Sequence, residues 1–372
     1  GSEWQPIALV LATVRSGSTH LRSGPGTRCD GAHPVGWLIV VECDPVIFRI
    51  ESGMDQHPPA PRWLHHQATA WVVLLLSFVL TGLAWFISDR AIRASATQRF
   101  QFEAQDIASV ISQRLLIYET ALRGGTGLFA ASEQVGRDDW RRYVDTLELQ
   151  QNLPGIQGLG FSRMLTPAER DPHVAAIRAE GFPQFDIRPS GEREVYSSID
   201  FLEPFDWRNQ RAFGFDMYAE PVRRAAMRQA MESGEPTISG RVRLVQETER
   251  DIQYGFLMYV PVYRRDLPTA TADERRAAIQ GFVYSPFRAG DFLAGILDAN
   301  QAGIGFGLYD GDAPVPGALL ASDEAARPAD PRSGKSAPPA RAAPAFESLI
   351  RLTPGSRTWT LRLHAGSDYL ST

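Results

Sequence analysis

One carboxylate lies among aromatic and sulfur-containing side chains in the stretch GFDMYAEPVRRAAMRQAMESGEP. Asp216 stands between Phe215 and Met217, shortly before Pro221, which suits the first turn of a helix. An aspartate there can stabilise the positive end of the helix by about 0.3–1 kcal/mol, or it can be the polar acceptor of an otherwise apolar ligand pocket. A pocket carboxylate needs N–H donors from its ligand, because an unpaired buried charge is costly. The residues alone favour the helix-end role.

The other acidic and histidine side chains predict no catalytic centre. Glu192, Glu194 and Asp200 have the pattern of solvated or turn residues, and His173 lies in a segment that predicts an exposed helix. The sequence contains no HExxH zinc motif and no GxSxG nucleophile motif. A Ser/His/Asp triad stays open, since its members can be far apart in sequence. With no local pattern in its favour, we predict no catalytic residue.

Metal, cofactor and nucleic-acid sites are not predicted either. The cysteines are Cys29 and Cys43, and no CxxC or Cys/His cluster is present. The SGKS run at 333–336 ends like a phosphate-binding loop but lies in a Pro-rich stretch, and GIGFGLYDG contains no GxGxxG. A net charge of -5 disfavours nucleic acid as a partner, because phosphate binding needs clustered positive charge.

Residues 68–87, ATAWVVLLLSFVLTGLAWFI, carry no formal charge and predict a transmembrane helix. About 20 helical residues span the ~30 Å hydrocarbon core of a bilayer. Trp71 and Trp85 lie near the ends, where aromatic belts form. The arginines near the span lie mostly after it and slightly favour a cytoplasmic C-terminal side, although long domains are translocated largely regardless of such charges. The absence of cysteine after the span fits a bacterial periplasm.

The residues before the span predict no fold. Residues 1–61 are expected to be disordered or a non-native extension, since they lack a sustained periodicity and the first part is rich in Gly, Ser and Pro. Met54 resembles a natural bacterial start ahead of a signal anchor. We therefore interpret residues 1–53 as upstream translation or an expression artefact.

After the span, a stalk helix is predicted over residues 88–131. Its apolar stripe has the spacing of a helix packed along another surface and consists of Phe100, Ala104, Ile107, Ile111, Leu115, Tyr118 and Leu122. The glycine pair in LRGGTGLFAAS is expected to loosen the helix, because glycine is a poor helix former.

Short strands and single helices follow the stalk. Strands are predicted at TISGRVRLVQE, IQYGFLMYVPVYR and AIQGFVYSPF, and a helix is predicted from Pro221 to Gly234. This mixture predicts an α+β fold built on antiparallel sheets. The Pro/Ala/Ser-rich residues 321–345 predict a flexible loop.

Several long runs resemble the CHASE domain, an extracytoplasmic sensory module of bacterial histidine kinases and diguanylate cyclases and of plant cytokinin receptors. They are YETALRGGTGLFAASEQVGRDDWRRYVDTLELQQNLPGIQGLGFSR, FLEPFDWRNQRAFGFDMYAEPVRRAAMRQAMESGEPTISGRVRLVQE and GFLMYVPVYRR. The resemblance covers about residues 100–365. It implies a stalk helix followed by two PAS-like antiparallel-sheet subdomains, a membrane-distal ligand-binding one at 132–270 and a membrane-proximal one at 271–365.

The resemblance also implies a ligand site. Asp216 matches the pocket aspartate that takes hydrogen bonds from the adenine-type ligand of the plant receptors. The expected neighbours in the same pocket are Phe215, Arg241, Leu244, Met258 and Tyr259. Tyr259 stands where the plant receptors have a small hydroxyl residue, which argues against cytokinin itself. The expected ligand is therefore adenine-like or another small organic compound.

The sequence thus predicts a ligand-sensing module of a bacterial transmembrane receptor. We expect it to be a homodimer, anchored in the inner membrane, with residues 89–372 in the periplasm. The second span and the kinase or cyclase output of the family are not found in this sequence, so we expect a fragment or a different output route. One alternative is a ligand-free dimerisation or adaptor domain, marked by a filled interior. Another is a periplasmic hydrolase, marked by a second carboxylate or a histidine beside Asp216.

Overall fold

The computed structural model describes residues 63–247, 253–297, 303–323 and 344–371. The packing below is that of the compact unit Thr69–Thr372. The predictions for residues 1–61, for the SGKS run and for most of the Pro/Ala/Ser-rich loop lie outside the described residues.

Helix α1 (Trp63–Ala131) contains both the apolar span and the stalk. The large apolar side chains from Trp71 to Ile87 are exposed. Within the described ranges, α1 is the one helix long and apolar enough to cross a membrane. The predicted stalk stripe is confirmed, because every member from Phe100 to Leu122 is at most 6% exposed.

The glycine pair Gly124–Gly125 does not loosen α1, contrary to the prediction. Helix α2 (Arg137–Leu147) packs here, and a Cβ atom on Gly125 would lie only 3.2 Å from the Trp140 ring and 3.1 Å from Val283. The Tyr143 hydroxyl donates a 2.6 Å hydrogen bond to the carbonyl of Ala121. The glycines therefore allow α2 and the sheet to approach the stalk closely, and this packing outweighs their helix-propensity cost of about 1 kcal/mol each.

The first sheet is antiparallel, with strands in the order β2-β1-β6-β5-β3, and β4 also pairs with β5. Its strands are β1 (Leu159–Leu165), β2 (Tyr196–Glu203), β3 (Thr237–Ile238), β4 (Val242–Arg243), β5 (Tyr254–Tyr263) and β6 (Ile279–Arg288). The predicted strands at IQYGFLMYVPVYR and AIQGFVYSPF are confirmed as β5 and β6. The run TISGRVRLVQE instead forms two short strands, β3 and β4, which pair with different parts of β5.

The two faces of this sheet bury different side chains, because successive residues of a strand point to opposite sides. Phe256 and Met258 of β5 pack in one cluster with the stalk stripe. Leu257 and Tyr259 pack in a second cluster with helix α5 (Pro221–Ser233). Helix α5 begins at Pro221 and is capped by Gly234 in the left-handed conformation (φ 79°), as predicted.

The remaining helices precede or separate the strands in chain order. They are α3 (Leu149–Asn152), α4 (Pro167–Ala179), α6 (Ala272–Ala278) and α7 (Ala289–Leu297). Helix α4 begins with a capping box. The Glu169 carboxylate accepts hydrogen bonds from the backbone N–H and the hydroxyl of Thr166. Its residues Val174 and Ile177 pack against Tyr196 of β2.

The second sheet is also antiparallel, with strands in the order β8-β7-β10-β9. Its strands are β7 (Ile304–Asp310), β8 (Leu319–Ser322), β9 (Phe346–Leu352) and β10 (Trp359–Ala365). The predicted subdomain boundary after residue 270 is wrong, because β6 returns to the centre of the first sheet and pairs with both β1 and β5. The first sheet therefore extends to Arg288. The predicted α+β class, with two PAS-like antiparallel sheets beside a long helix, is confirmed.

Candidate functional site

Asp216 is fully buried and caps a short 3₁₀ turn, Met217–Ala219, just before α5. Its Oδ1 accepts hydrogen bonds from the backbone N–H and the hydroxyl of Ser197, both at 2.9 Å. The same oxygen accepts from the backbone N–H of Tyr218 at 3.0 Å and of Ala219 at 3.2 Å. Asp216 thus satisfies the free N–H groups that begin a helical turn, which is the structural role the residues alone favour.

The second carboxylate oxygen of Asp216, Oδ2, has a different environment. Oδ2 is buried and accepts no hydrogen bond from a described residue. Its nearest charge is Arg193 Nη1 at 3.5 Å, and that guanidinium donates to the carbonyls of Pro189, Ser190 and Gly191. Oδ2 is thus ion-paired with Arg193 but accepts no hydrogen bond from a described residue, so it can still accept one from an N–H group.

Three of the predicted neighbours of Asp216 lie in the cluster on the α5 face of the sheet. Tyr259 and Leu244 are buried there, and Phe215 packs against the cluster's edge. The Tyr259 hydroxyl lies 3.5 Å from the sulfur of Met217, the residue next to Asp216. Burial raises the pKa of Tyr259, so its hydroxyl keeps its proton at neutral pH.

Met258 and Arg241 do not line the same interior, contrary to the prediction. Met258 follows Leu257 on β5 and therefore points to the stalk face, where it lines a 330 Å³ cleft with Leu115. The Arg241 guanidinium stacks 3.8 Å from the centre of the Tyr254 ring and donates to the carbonyl of Leu319 in the second sheet. The assignment failed because it placed neighbouring strand positions in one pocket.

Side chains fill the interior beside Asp216. The cluster contains three methionines, Met217, Met227 and Met231, together with Phe282 and Tyr284. The Tyr284 hydroxyl is buried and has no hydrogen-bond partner among the described residues. Burial raises the pKa of this phenol as well, so it remains a proton donor.

A second buried carboxylate, Asp200, was missed by the sequence analysis. Asp200 Oδ1 lies 2.9 Å from His173 Nε2, and Oδ2 accepts a 2.7 Å hydrogen bond from Arg163 Nε. Burial alone raises the pKa of Asp200, but the His173 hydrogen bond and the Arg163 charge together lower it below its usual value. The prediction that Asp200 is solvated is therefore wrong, and so is the prediction that His173 is exposed, since its side chain is 11% exposed.

One sequence signal could have revealed the Asp200 cluster. Asp200 stands between Ile199 and Phe201 in a run that predicts a strand, and an acid buried in such a strand needs a partner. Residues at spacing 2 share a strand face, so Ser198 and Asp200 point to the same helix, α4, on which His173 lies. Glu192 and Glu194, in contrast, are exposed as predicted.

The His173 cluster does not have the geometry of a hydrolytic triad. The Ser198 hydroxyl lies 3.3 Å from His173 Nε2, the same nitrogen that contacts Asp200. A relay requires the acid and the nucleophile to contact different ring nitrogens. In the described part of the chain, Asp216 contacts no histidine, and no group of three or more His, Cys, Asp or Glu side chains could hold a metal ion.

A family model matches residues 133–321, just over half of the chain, and its description is CHASE domain. The chain belongs to the CHASE domain family. The match begins directly after α1 and includes both Asp216 and Asp200. Because CHASE domains are extracytoplasmic sensory modules, this chain contains a sensory module of that kind.

Several solved structures of sensory domains resemble this CHASE chain. The ligand-binding domain of the Pseudomonas aeruginosa PAO1 amino acid chemoreceptor PctC, in complex with GABA, is 14% identical, with 70% of this chain and 96% of that one covered and a TM-score of 0.38. The periplasmic sensory domain of the Campylobacter jejuni chemoreceptor Tlp1 is 12% identical, with 76% and 96% covered and a TM-score of 0.39. Similarities this distant identify no ligand for this chain. None of the curated proteins compared with the chain matches it.

Proposed function

We propose that this CHASE module senses a small ligand in the periplasm as part of a bacterial transmembrane receptor. Residues 68–87 anchor it in the inner membrane, residues 89–372 lie outside the cytoplasm, and a kinase or cyclase output follows elsewhere in the receptor. The continuity of α1 is the observation that carries this proposal. One helix joins an exposed apolar segment, Trp71–Ile87, to a stalk stripe that is buried against the sensory sheets.

The continuous helix explains how ligand occupancy reaches the membrane. From Thr69 to Ala131 it has 63 residues, about 95 Å at 1.5 Å per residue. The cluster around its stripe includes Phe161 of the first sheet and Leu361 of the second. A ligand that binds one arrangement of these sheets more tightly than another biases the position of the helix.

The proposed ligand site lies on the α5 face of the first sheet. Asp216 Oδ2 accepts an N–H group of the ligand, and Phe215, Leu244 and Tyr259 form apolar walls. The ligand is a small organic compound with N–H donors, such as an adenine-type base. Because the interior is packed here, binding requires the cluster to rearrange, and unbranched methionines such as Met227 can repack at low cost.

The test of ligand sensing is a thermal-shift screen of the full chain in detergent against purines, amino acids, peptides and organic acids. A ligand at about 100 times its Kd should stabilise the chain by ~2.7 kcal/mol. A compound that raises the melting temperature is the expected result. If no compound does so, the packed interior beside Asp216 favours the second candidate, a membrane-anchored dimerisation domain without a ligand.

We propose that the chain forms a homodimer through the exposed side of the stalk part of α1. Phe102 is 66% exposed and Leu116 is 62% exposed, which is unfavourable for large apolar side chains in water. In a background with Cys29 and Cys43 replaced by serine, Leu116→Cys should form a disulfide-linked dimer in membranes. Glu347→Cys on the second sheet is the control and should remain monomeric on a non-reducing gel. Equal cross-linking at both positions would contradict this interface.

Membrane orientation is tested with the same cysteine-free background. Glu347→Cys should react with a membrane-impermeant maleimide in cells whose outer membrane is permeabilised, because residues 89–372 are proposed to be periplasmic. Labelling that requires lysis of the inner membrane would place this part of the chain in the cytoplasm and refute the proposed orientation.

A further inference from the structure

A polar cleft of 770 Å³ lies on the stalk side of the first sheet, away from the α5 face. It is formed by the end of α1 with the connection to α2, by α4, by β1 and β2, and by the residues after β5. The charged and titratable side chains that line it are Glu133, Arg137, Arg163, Glu169, His173, Glu180, Asp200, Arg264, Arg265 and Asp266. Nothing in the proposed sensing site uses this cleft.

Arg163 is held in one orientation at the floor of this cleft. Its Nε donates to the buried Asp200, and its guanidinium lies 5.6 Å from the centre of the Phe161 ring. The two terminal nitrogens have no hydrogen-bond partner among the described residues, and the side chain is 32% exposed to the cleft. A fixed guanidinium with both terminal nitrogens free matches the two oxygens of a carboxylate or phosphate group.

Other carboxylates of the cleft already have partners. Asp200 is shared by Arg163 and His173, and Glu180 accepts a 3.0 Å hydrogen bond from Arg137. Glu169 accepts from Thr166 at the start of α4. Arg163 therefore keeps unused N–H donors, while Asp200, Glu180 and Glu169 already have partners; Glu133 and Asp266 also line the cleft.

Glu169 is the carboxylate that competes with an incoming anion. The backbone N–H and the hydroxyl of Thr166 hold the pKa of Glu169 below its usual value, and the charges of Arg264 and Arg163 lower it further. Glu169 therefore lies within the field of both arginines. An anion beside Arg163 is attracted by Arg163 and Arg264 and repelled by the fixed carboxylate of Glu169, with Glu133 and Asp266 adding negative charge to the cleft.

We propose that this cleft is a second ligand site, in which Arg163 binds a small oxyanion, a carboxylate or a phosphate, with Arg264 assisting. The site also contacts helix α1. Phe129 in the last turn of α1 lines the cleft, and its carbonyl accepts a 3.1 Å hydrogen bond from Arg265, another lining residue. An occupant of the cleft thus reaches the end of the stalk without passing through the Asp216 interior.

The test is isothermal titration of the full chain in detergent with succinate and, separately, with inorganic phosphate. Sodium chloride at the same ionic strength is the control for screening. The variants are Arg163→Lys, which keeps a charge beside Asp200 but loses the two-nitrogen fork, and Arg362→Lys as the matched control. Arg362 also pairs through Nε with one carboxylate, Glu347, at 2.7 Å, but lies on the second sheet.

The expected result is that at least one of the two anions binds and that Arg163→Lys weakens it by roughly tenfold or more, the value of a lost charged hydrogen bond. Binding of succinate alone identifies a carboxylate site, and binding of phosphate alone identifies a phosphate site. Arg362→Lys should leave the affinity unchanged. Glu169→Gln, which preserves the capping box, should tighten binding because it removes the competing charge.

Three results would overturn the second site. They are no binding of either anion, an equal response to chloride, and an unchanged affinity in Arg163→Lys. If Arg163→Lys does not fold, Glu169→Gln decides, since an unchanged or weaker affinity in that variant contradicts the site. The outcome is independent of the sensing site, because a purine without a carboxylate or phosphate group that is found by the thermal-shift screen can be titrated into Arg163→Lys and should bind with wild-type affinity.

Discussion

Asp216 and Asp200 are two buried carboxylates beside the first sheet, and their oxygens are used in different ways. Asp200 divides its partners, with His173 at one oxygen and Arg163 at the other. Asp216 receives all of its hydrogen bonds at Oδ1, from Ser197, Tyr218 and Ala219, and its Oδ2 accepts none from the described residues.

This difference separates a structural carboxylate from one that can serve both structure and binding. Asp200 uses both carboxylate oxygens within the protein and leaves spare donors on Arg163. The charge of Asp216 is paired with Arg193 at 3.5 Å, but its Oδ2 accepts no hydrogen bond from a described residue. At Asp216 the turn uses one oxygen and leaves the other as a buried acceptor. A ligand with N–H groups therefore suits Asp216, and an anion suits the cleft beside Asp200.

The largest effect on stability is expected from Asp216→Ala. The variant loses the cap of the turn, about 1 kcal/mol, and leaves the buried N–H of Ser197 without its acceptor, about 1–3 kcal/mol. Its melting temperature should therefore fall well below that of the wild-type chain. Asp216→Asn should lose less than about 1 kcal/mol, because asparagine is an equally good cap and keeps one oxygen. Equal destabilisation by both changes would show that the charge, and not the cap, is what stabilises the turn.

A smaller and pH-dependent loss is expected from Asp200→Asn. Arg163 and His173 each lose a charged acceptor, which should cost about 2 kcal/mol at neutral pH. The pKa of Asp200 is lowered in the folded state, so its contribution is complete above its ordinary pKa of about 3.9 and is lost as the pH falls through the folded value. Thermal unfolding between pH 7 and pH 3 should show the gap between wild type and variant closing on acidification. A gap that widens below pH 4 would contradict this sign.

The smallest effect is expected from His173→Gln. A glutamine amide can donate the hydrogen bond to Asp200, although it carries no charge and fits the site less closely, so the loss should be about 0.5–1 kcal/mol. Binding at Asp216 should not change, because His173 lies on α4 and contacts a different carboxylate. A large loss of ligand affinity in this variant would show that His173 also affects the Asp216 site and would contradict the independence of the two sites.

The sequence predicted those features that local patterns determine. The apolar stripe from Phe100 to Leu122 identified the buried side of α1, and Pro221 with Gly234 marked the ends of α5. The strands β5 and β6 followed from their β-branched and aromatic residues. These signals succeed because helix caps and hydrophobic periodicity depend on neighbours in sequence.

The features that failed depend on contacts between distant residues. Asp200 was interpreted as solvated because its partners, Arg163 and His173, come from another strand and a helix. The subdomain boundary was placed before β6, since nothing local shows that this strand returns to the centre of the first sheet. Met258 was assigned beside Tyr259 from a family resemblance, although strand alternation alone already places the two on opposite faces.

Binding of the ligand at Asp216 Oδ2 is tested directly by one comparison. The melting temperatures of the full chain and of Asp216→Asn are measured with and without a saturating compound from the thermal-shift screen. We predict that the compound stabilises the wild-type chain by about 2.7 kcal/mol at 100 times its Kd and leaves the variant unchanged, while without the compound the variant is less stable than wild type by less than about 1 kcal/mol. An equal rise in both proteins would contradict the claim and place the ligand elsewhere in the molecule.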